Sequence, residues 1–281
     1  MDADSYRSYS LETWGQMAPG WEARREWLMR ITDRANEWLL EKAGPQPGQT
    51  YLEVAAGTGD LGFMAAERLG PEGRLISTDF APEMVEVARR QGERRGVSNV
   101  EYQVLDAERM NLEDDSVDGV LCRWGYMLMA DPAIALRETR RVLRDGGPLA
   151  FAVWGTPETN PWAAVPAMTL IRLGHFDPPA PGEPGIFAMG EPGRIRELVS
   201  GAGFGEPELE DIRVEYDWPD FAEVWDTLNS MTGPLARAIA ATSSEERQAI
   251  REAFEEDFAG FRQADGSYRA PGAAWGVSAR A

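Results

Sequence analysis

Apolar residues recur at helical spacing across residues 21–42, at Trp27, Leu28, Ile31, Ala35, Trp38 and Leu39, before Gly44-Pro45-Gln46-Pro47-Gly48 breaks the run. The spacing predicts one N-terminal helix ahead of the main body. Short apolar runs with few charges follow at 50–55, 74–78, 100–105, 117–122 and 149–154, and they read as buried strands. Between them lie the helix-compatible stretches 61–69, 82–95 and 132–143; Pro82 suits a first helical turn and Gly96 a helix end. Strict alternation of this kind predicts a parallel, doubly wound α/β sheet.

After Trp154 the rhythm breaks. Ten prolines and glycines fall between Pro157 and Gly185, which predicts an excursion off the sheet with a short helix near 163–173. Periodicity resumes with a helix at 191–200, a strand at 206–215 and helices at 221–229, 234–241 and 244–262. The segment 273–280, after Pro271, reads as a final strand returning to the sheet. The expected architecture is a mostly parallel seven-stranded sheet with an N-terminal helical cap and a helical insertion before the last strand. It divides the chain into cap helices (1–48), a core (49–155), and lid helices with the closing strands (156–281).

Composition narrows the function classes. Asp plus Glu outnumber Lys plus Arg by 47 to 28, a formal charge of −19 that disfavours nucleic-acid and anionic-membrane partners. A single cysteine, Cys122, excludes an internal disulfide and any multi-thiolate metal site. Met1 to Ser10 is polar, without an apolar signal core, and no run is long enough to span a bilayer. The expectation is a cytoplasmic protein. No acids or histidines cluster as a metal set, and the oligomeric state is open.

The chemistry concentrates where the first strand, Tyr51 to Ala56, enters Gly57-Thr58-Gly59-Asp60, a glycine turn that opens a helix. Gly57, Gly59 and Gly62 match a dinucleotide fingerprint, with Asp79 placed as a ribose-binding acid. Two further acids favour a different ligand. Glu53 stands within the strand, awkward beside a pyrophosphate and useful beside a cationic amino-acid group. Asp106-Ala107 ends the third strand, where a carboxylate and a backbone N–H can read an adenine edge.

On these residues the chain resembles the class I S-adenosylmethionine (SAM)-dependent methyltransferases, closest to the ubiquinone/menaquinone-biosynthesis type. The resemblance covers about residues 14–154. It rests on Glu53-Val54-Ala55-Ala56-Gly57-Thr58-Gly59, Thr78-Asp79-Phe80, Asp106-Ala107-Glu108, Val117-Asp118-Gly119-Val120 and Arg141-Val142-Leu143-Arg144-Asp145-Gly146-Gly147. It implies a Rossmann-like sheet, SAM as cofactor and S-adenosylhomocysteine as product. It also implies that Asp79 holds the ribose hydroxyls, that Phe80 and Met84 flank adenine, and that Asp106 with Ala107 reads its edge. The turn Ala55, Ala56, Gly57, Thr58 and Gly59 would hold the methionine moiety, with backbone carbonyls near Ala55 and Arg123 accepting from its ammonium group. Two positions depart from the family pattern, Ala56 and Asp145, and neither removes a contact. Trp14 and Trp21 look like the family's cap over the cofactor, or are plain aromatic packing.

Methyl transfer from a sulfonium needs alignment above all, and a base only where the nucleophile must lose a proton. Candidate catalytic groups are His175, the one histidine, and Tyr126; each is also explained by packing. Arg123, Trp124 and Tyr126 follow the fourth strand, where the binding crevice of such a sheet lies. With Trp14, Trp154 and His175 they are the expected acceptor pocket. Trp162, Met168, Phe176, Phe187, Met189, Trp218 and Trp225 are candidate lid residues, making the pocket closed and largely apolar. The leading function is SAM-dependent methyl transfer to an O, N or C atom of a small, apolar or aromatic molecule. The alternatives are an NAD-dependent oxidoreductase and a non-catalytic module that only binds SAM or its product.

Overall fold

The computed structural model describes residues 2–180 and 182–281; Met1 and Pro181, named in the sequence reading, lie outside them. Seven strands form one sheet in the order β3-β2-β1-β4-β5-β7-β6: β1 (Thr50–Val54), β2 (Arg74–Asp79), β3 (Val100–Val104), β4 (Gly119–Arg123), β5 (Pro148–Trp154), β6 (Glu208–Trp218) and β7 (Tyr268–Arg280). The first five are parallel, and β7 runs antiparallel between β5 and β6. This is the expected doubly wound, mostly parallel sheet. All seven residues of β5 are buried, which is why that run carries no polar alternation.

The helices α3 (Asp60–Leu69), α4 (Pro82–Arg95) and α5 (Pro132–Val142) connect the parallel strands. Strand order reverses between β1 and β4, so the loops after these two strands diverge and leave a crevice at their carboxyl ends. The insertion contributes α6 (Pro161–Arg172) and α7 (Pro192–Gly201) before β6. Helices α8 (Phe221–Met231), α9 (Pro234–Ala240) and α10 (Ser244–Asp257) then lead to β7.

Several boundaries differ from the sequence reading. Residues 21–42 are not one helix: α1 (Ala3–Ala23) ends near Arg24, and α2 (Arg25–Ala43) runs on to the left-handed Gly44. Helix α1 escaped notice because it buries only Thr13, Met17 and Ala18 and contains Pro19, leaving little apolar periodicity to read. Asp2 caps it by accepting from the Ser5 N–H at 2.9 Å. Strand β7 begins at Tyr268 rather than 273. Pro271 is tolerated because β7 there pairs only with β6; its pairing with β5 starts at Ala274. Helix α10 stops at Asp257, and a short 3-10 turn, Ala259–Phe261, takes up the rest of the predicted span.

Candidate functional site

The loop after β1 turns on left-handed residues: Ala55 at φ 54°, Gly57 at 57° and Gly59 at 82°. A non-glycine residue held there costs about 1–3 kcal/mol, and Ala55 lines a cavity at the crevice. A Cβ on Gly59 would come within 2.8 Å of the Phe63 ring, so glycine also serves close packing there. Gly62 has a different use from the one its fingerprint match suggests. A Cβ there would fall 2.1 Å from Glu53 Oε2; the bare backbone instead donates its N–H to that carboxyl. The third glycine accommodates an acid, which a pyrophosphate site would repel.

The crevice forms a recess of about 1050 Å³, counted with its open mouth. Glu53, Asp79 and Asp106, from β1, β2 and the end of β3, all line it, with Ala55, Ala56, Gly57, Phe80, Met84 and Ala107. Glu53 is 2% exposed; burial pushes its carboxyl up to about 8, against the opposing pull of Arg123, the Ser77 hydroxyl at 3.1 Å and the Gly62 N–H. Asp79 accepts from Gly57 N–H and from Ala81 N–H, each at 2.9 Å, so one carboxylate ties the glycine turn to the start of α4. Burial raises its pKa as well, against those two backbone bonds. Asp106 accepts from the Glu108 N–H at 2.9 Å.

Thr58 and Gly59 shape the turn without lining the cavity. The Thr58 hydroxyl is committed to Asp60 at 2.8 Å, and Asp60 is clamped by Arg25 and Arg95 at 2.6 Å each.

From the loop after β4, Arg123, Trp124 and Gly125 reach the wall. Trp124 sits at φ 60°, is 6% exposed and stacks on Trp154 with centroids 4.4 Å apart; its indole N–H has no partner among the described residues. Trp154 thus supports the wall from behind and does not line it. Arg123 Nη1 donates to Thr32 Oγ1 at 2.9 Å and Asn36 Oδ1 at 2.7 Å.

Tyr126 is not in the pocket. It is fully buried, packed edge-on against Phe151, and shares a 2.7 Å hydrogen bond with Thr139; burial drives its pKa well up, so it is no base. Cys122 is buried beneath the same loop and its thiol is pushed up to about 12. His175 lies off the cavity in the excursion, its N–H bonded to the Leu170 carbonyl and its ring in the field of Glu246 on α10.

The cover is α1. Tyr6, Arg7, Ser10, Trp14 and Trp21 close the cavity from above, with Trp14 and Trp21 edge to face at 6.0 Å. Arg7 binds Glu108, and its Nε lies 3.8 Å from Asp106; Tyr6 donates to the Leu128 carbonyl at 2.9 Å. Helices α8 and α9 hold α1 from behind, through Trp21 to the Met231 carbonyl at 3.1 Å and Arg237 to Thr13 at 3.1 Å. Trp162, Phe176, Phe187, Met189, Trp218 and Trp225 do not line the cavity, and Met168 is 62% exposed. The expected apolar pocket is therefore mixed, with an aromatic cover over a wall carrying four acids and two arginines. Tyr6, Arg7 and Ser10 were missed because α1 itself was. Thr32 and Asn36 did leave a trace: two polar residues at i and i+4 on the face of α2 that also carries Leu28 and Ala35.

Residues 45–165 match the family described as a methyltransferase domain. The chain is 31% identical over 185 residues to the demethylmenaquinone methyltransferase of Thermus thermophilus, covering 63% of this chain and 81% of that enzyme. It is 36% identical over 125 residues to the ubiquinone/menaquinone biosynthesis C-methyltransferase of Hahella chejuensis, 44% of this chain and 50% of the relative, so it spans about half the length of that protein. Among solved structures, the YcgJ protein of Bacillus subtilis superposes with a TM-score of 0.57 at 20% identity, covering 88% of this chain and 97% of that one. A Haemonchus contortus phosphoethanolamine N-methyltransferase 2 in complex with S-adenosyl-L-methionine gives 0.55 at 18% identity, covering 88% and 52%. At such identities the structural likeness carries the fold.

Proposed function

The chain belongs to the class I SAM-dependent methyltransferases, in the group that includes the ubiquinone/menaquinone-biosynthesis enzymes, and from that premise we propose that the cavity under α1 holds the cofactor and delivers its methyl group to a small aromatic or quinol-like acceptor. The observation that carries this reading is the row of three acids, Glu53, Asp79 and Asp106, at neighbouring strand ends along one cavity wall. Together they suit a ligand with an ammonium group, a ribose diol and an adenine amine; Asp79 would serve the ribose of a dinucleotide equally, so Glu53 and Asp106 carry the distinction.

In this reading Asp79, already set by two backbone N–H groups, accepts from the ribose hydroxyls. Asp106 and the Ala107 N–H meet the adenine edge, with Phe80 and Met84 at its faces. The carboxyl of Glu53 takes the ammonium group. Helix α1, tied down by Arg7 to Glu108 and Tyr6 to the Leu128 carbonyl, excludes water. Bound SAM supplies a methyl carbon on a sulfonium, open to in-line displacement. The protein's share is alignment: Trp124, Leu128 and Met129 give the acceptor an apolar wall, and proximity accounts for much of the rate. Neither Tyr126 nor Cys122 can take a proton from the acceptor, so an acceptor that ionises readily, such as a hydroxylated aromatic ring, fits best.

Isothermal calorimetry tests the reading. S-adenosylhomocysteine is expected to bind with one-to-one stoichiometry and NAD not at all; NAD binding without S-adenosylhomocysteine binding defeats it. Transfer of labelled methyl to a panel of phenols and quinols then identifies the acceptor, and cofactor binding with no transfer favours a binding module. A general base contributes about 10²–10⁴-fold, so His175→Ala is expected to keep turnover within about twofold, measured with whichever acceptor the panel gives. No described helix is long and apolar enough to cross a membrane.

A further inference from the structure

Two cations line the cavity, and their circumstances differ. Arg7 is neutralised by Glu108 and Asp4. Arg123 forms no ion pair among the described residues. The nearby Asp60 is occupied by Arg25 and Arg95, and Glu53 holds its proton at neutral pH because burial pushes it up to about 8. All of Arg123's hydrogen bonds, to Thr32 and Asn36 and a long contact to Met29 Sδ, use Nη1, so Nε and Nη2 donate to no protein group among the described residues. The face of the Trp124 ring, 5.2 Å from the Arg123 Cζ, offsets only part of the cost of holding a guanidinium without an ion-pair partner in a recess. Thr32 and Asn36, both 0% exposed, are kept polar on the buried face of α2 and hold it in place.

SAM has one anionic group, the carboxylate of its methionine moiety. That carboxylate shares a carbon with the ammonium group, so reading both ends requires an acid and a free cation close together. Glu53 on β1 and Arg123 on the neighbouring β4 are such a pair: the register sets Glu53 beside Leu121, two residues before Arg123, and the two side chains lie in each other's field. We infer that the Arg123 guanidinium, oriented by Thr32 and Asn36, recognises the methionine carboxylate of the cofactor and makes the cavity selective for ligands that carry it.

This inference rests on the proposed function, and the test separates the two. Calorimetry on the full chain compares S-adenosylhomocysteine with 5′-methylthioadenosine, which keeps the adenosine thioether and lacks the amino-acid end. Arg123→Met is expected to weaken S-adenosylhomocysteine about 10–100-fold, the scale of a charge-assisted hydrogen bond, and to leave methylthioadenosine unchanged. Arg123→Lys should recover part of the loss. Asn36→Ala, which keeps the charge and loosens its orientation, should weaken S-adenosylhomocysteine several-fold with methylthioadenosine again unaffected, and it serves if the methionine variant does not fold. Equal losses for both ligands, or no loss for S-adenosylhomocysteine, overturn the inference. Failure of the wild-type chain to bind S-adenosylhomocysteine overturns the functional reading itself.

Discussion

Replacing Asp79 by alanine is expected to weaken S-adenosylhomocysteine binding by about 1–3 kcal/mol, roughly 5- to 150-fold, the range for hydrogen bonds to a charged group. The effect has two sources. The carboxylate that would accept from the ribose hydroxyls is lost. The Gly57 and Ala81 N–H groups, each held at 2.9 Å, also lose their acceptor, so the glycine turn is no longer anchored to α4. Because methylthioadenosine has the same ribose, it should lose affinity in parallel, unlike in the Arg123 variants. Asp79→Asn, which retains one oxygen and gives up the charge, should fall between wild type and alanine. Calorimetry with far-ultraviolet dichroism checks this; an unchanged dissociation constant in a folded Asp79→Ala protein removes Asp79 from the site.

Glu53→Gln should separate stability from binding. Burial holds the Glu53 carboxyl at about 8, above its ordinary 4.5. Below pH 4.5 the group is protonated in both the folded and unfolded chain and costs nothing. Between 4.5 and about 8 the unfolded chain releases the proton while the folded one keeps it, so stability declines as pH rises. At ~1.4 kcal/mol per pKa unit the decline approaches roughly 5 kcal/mol. Glutamine fills the same space beside Ser77 and Gly62 without ionising. The ligand-free variant should therefore melt several degrees above wild type at pH 8 and together with it near pH 4.5, as thermal denaturation across pH would show. Its affinity for S-adenosylhomocysteine should drop, since no carboxylate remains for the ammonium group. In the wild type, binding at pH 7 should release a proton, seen as a calorimetric enthalpy that changes with the buffer's ionisation heat. A glutamine variant with wild-type affinity would show that Glu53 does not meet the ammonium group.

The centre of the sheet was legible because β1, β2, β4 and β5 are buried along nearly their whole length and interrupted by helices of ordinary length. Runs such as Leu149 to Trp154 admit no polar residue, and the alternation with amphipathic helices implies parallel pairing. The acids were legible for a related reason: Glu53, Asp79 and Asp106 stand at or just past the carboxyl ends of neighbouring parallel strands, where the crevice of such a sheet lies. Helix α1 was not legible. It crosses the site mostly with polar and aromatic side chains, and its contacts come from the loops after β3 and β4 and from α4, α8 and α9, far away in sequence.

By itself, then, the sequence determined the doubly wound sheet, the glycine turn and the three acids, because each depends on periodicity or on residues within one strand–turn–helix unit. Only the tertiary structure decided which groups share the cavity. It buried Tyr126 against Phe151, left His175 off the cavity, set Trp154 behind Trp124, put Gly62 to use accommodating Glu53, and brought Arg7 and Arg123 to the wall. Side-chain direction and charge compensation are set by packing between distant segments, and no local pattern records them.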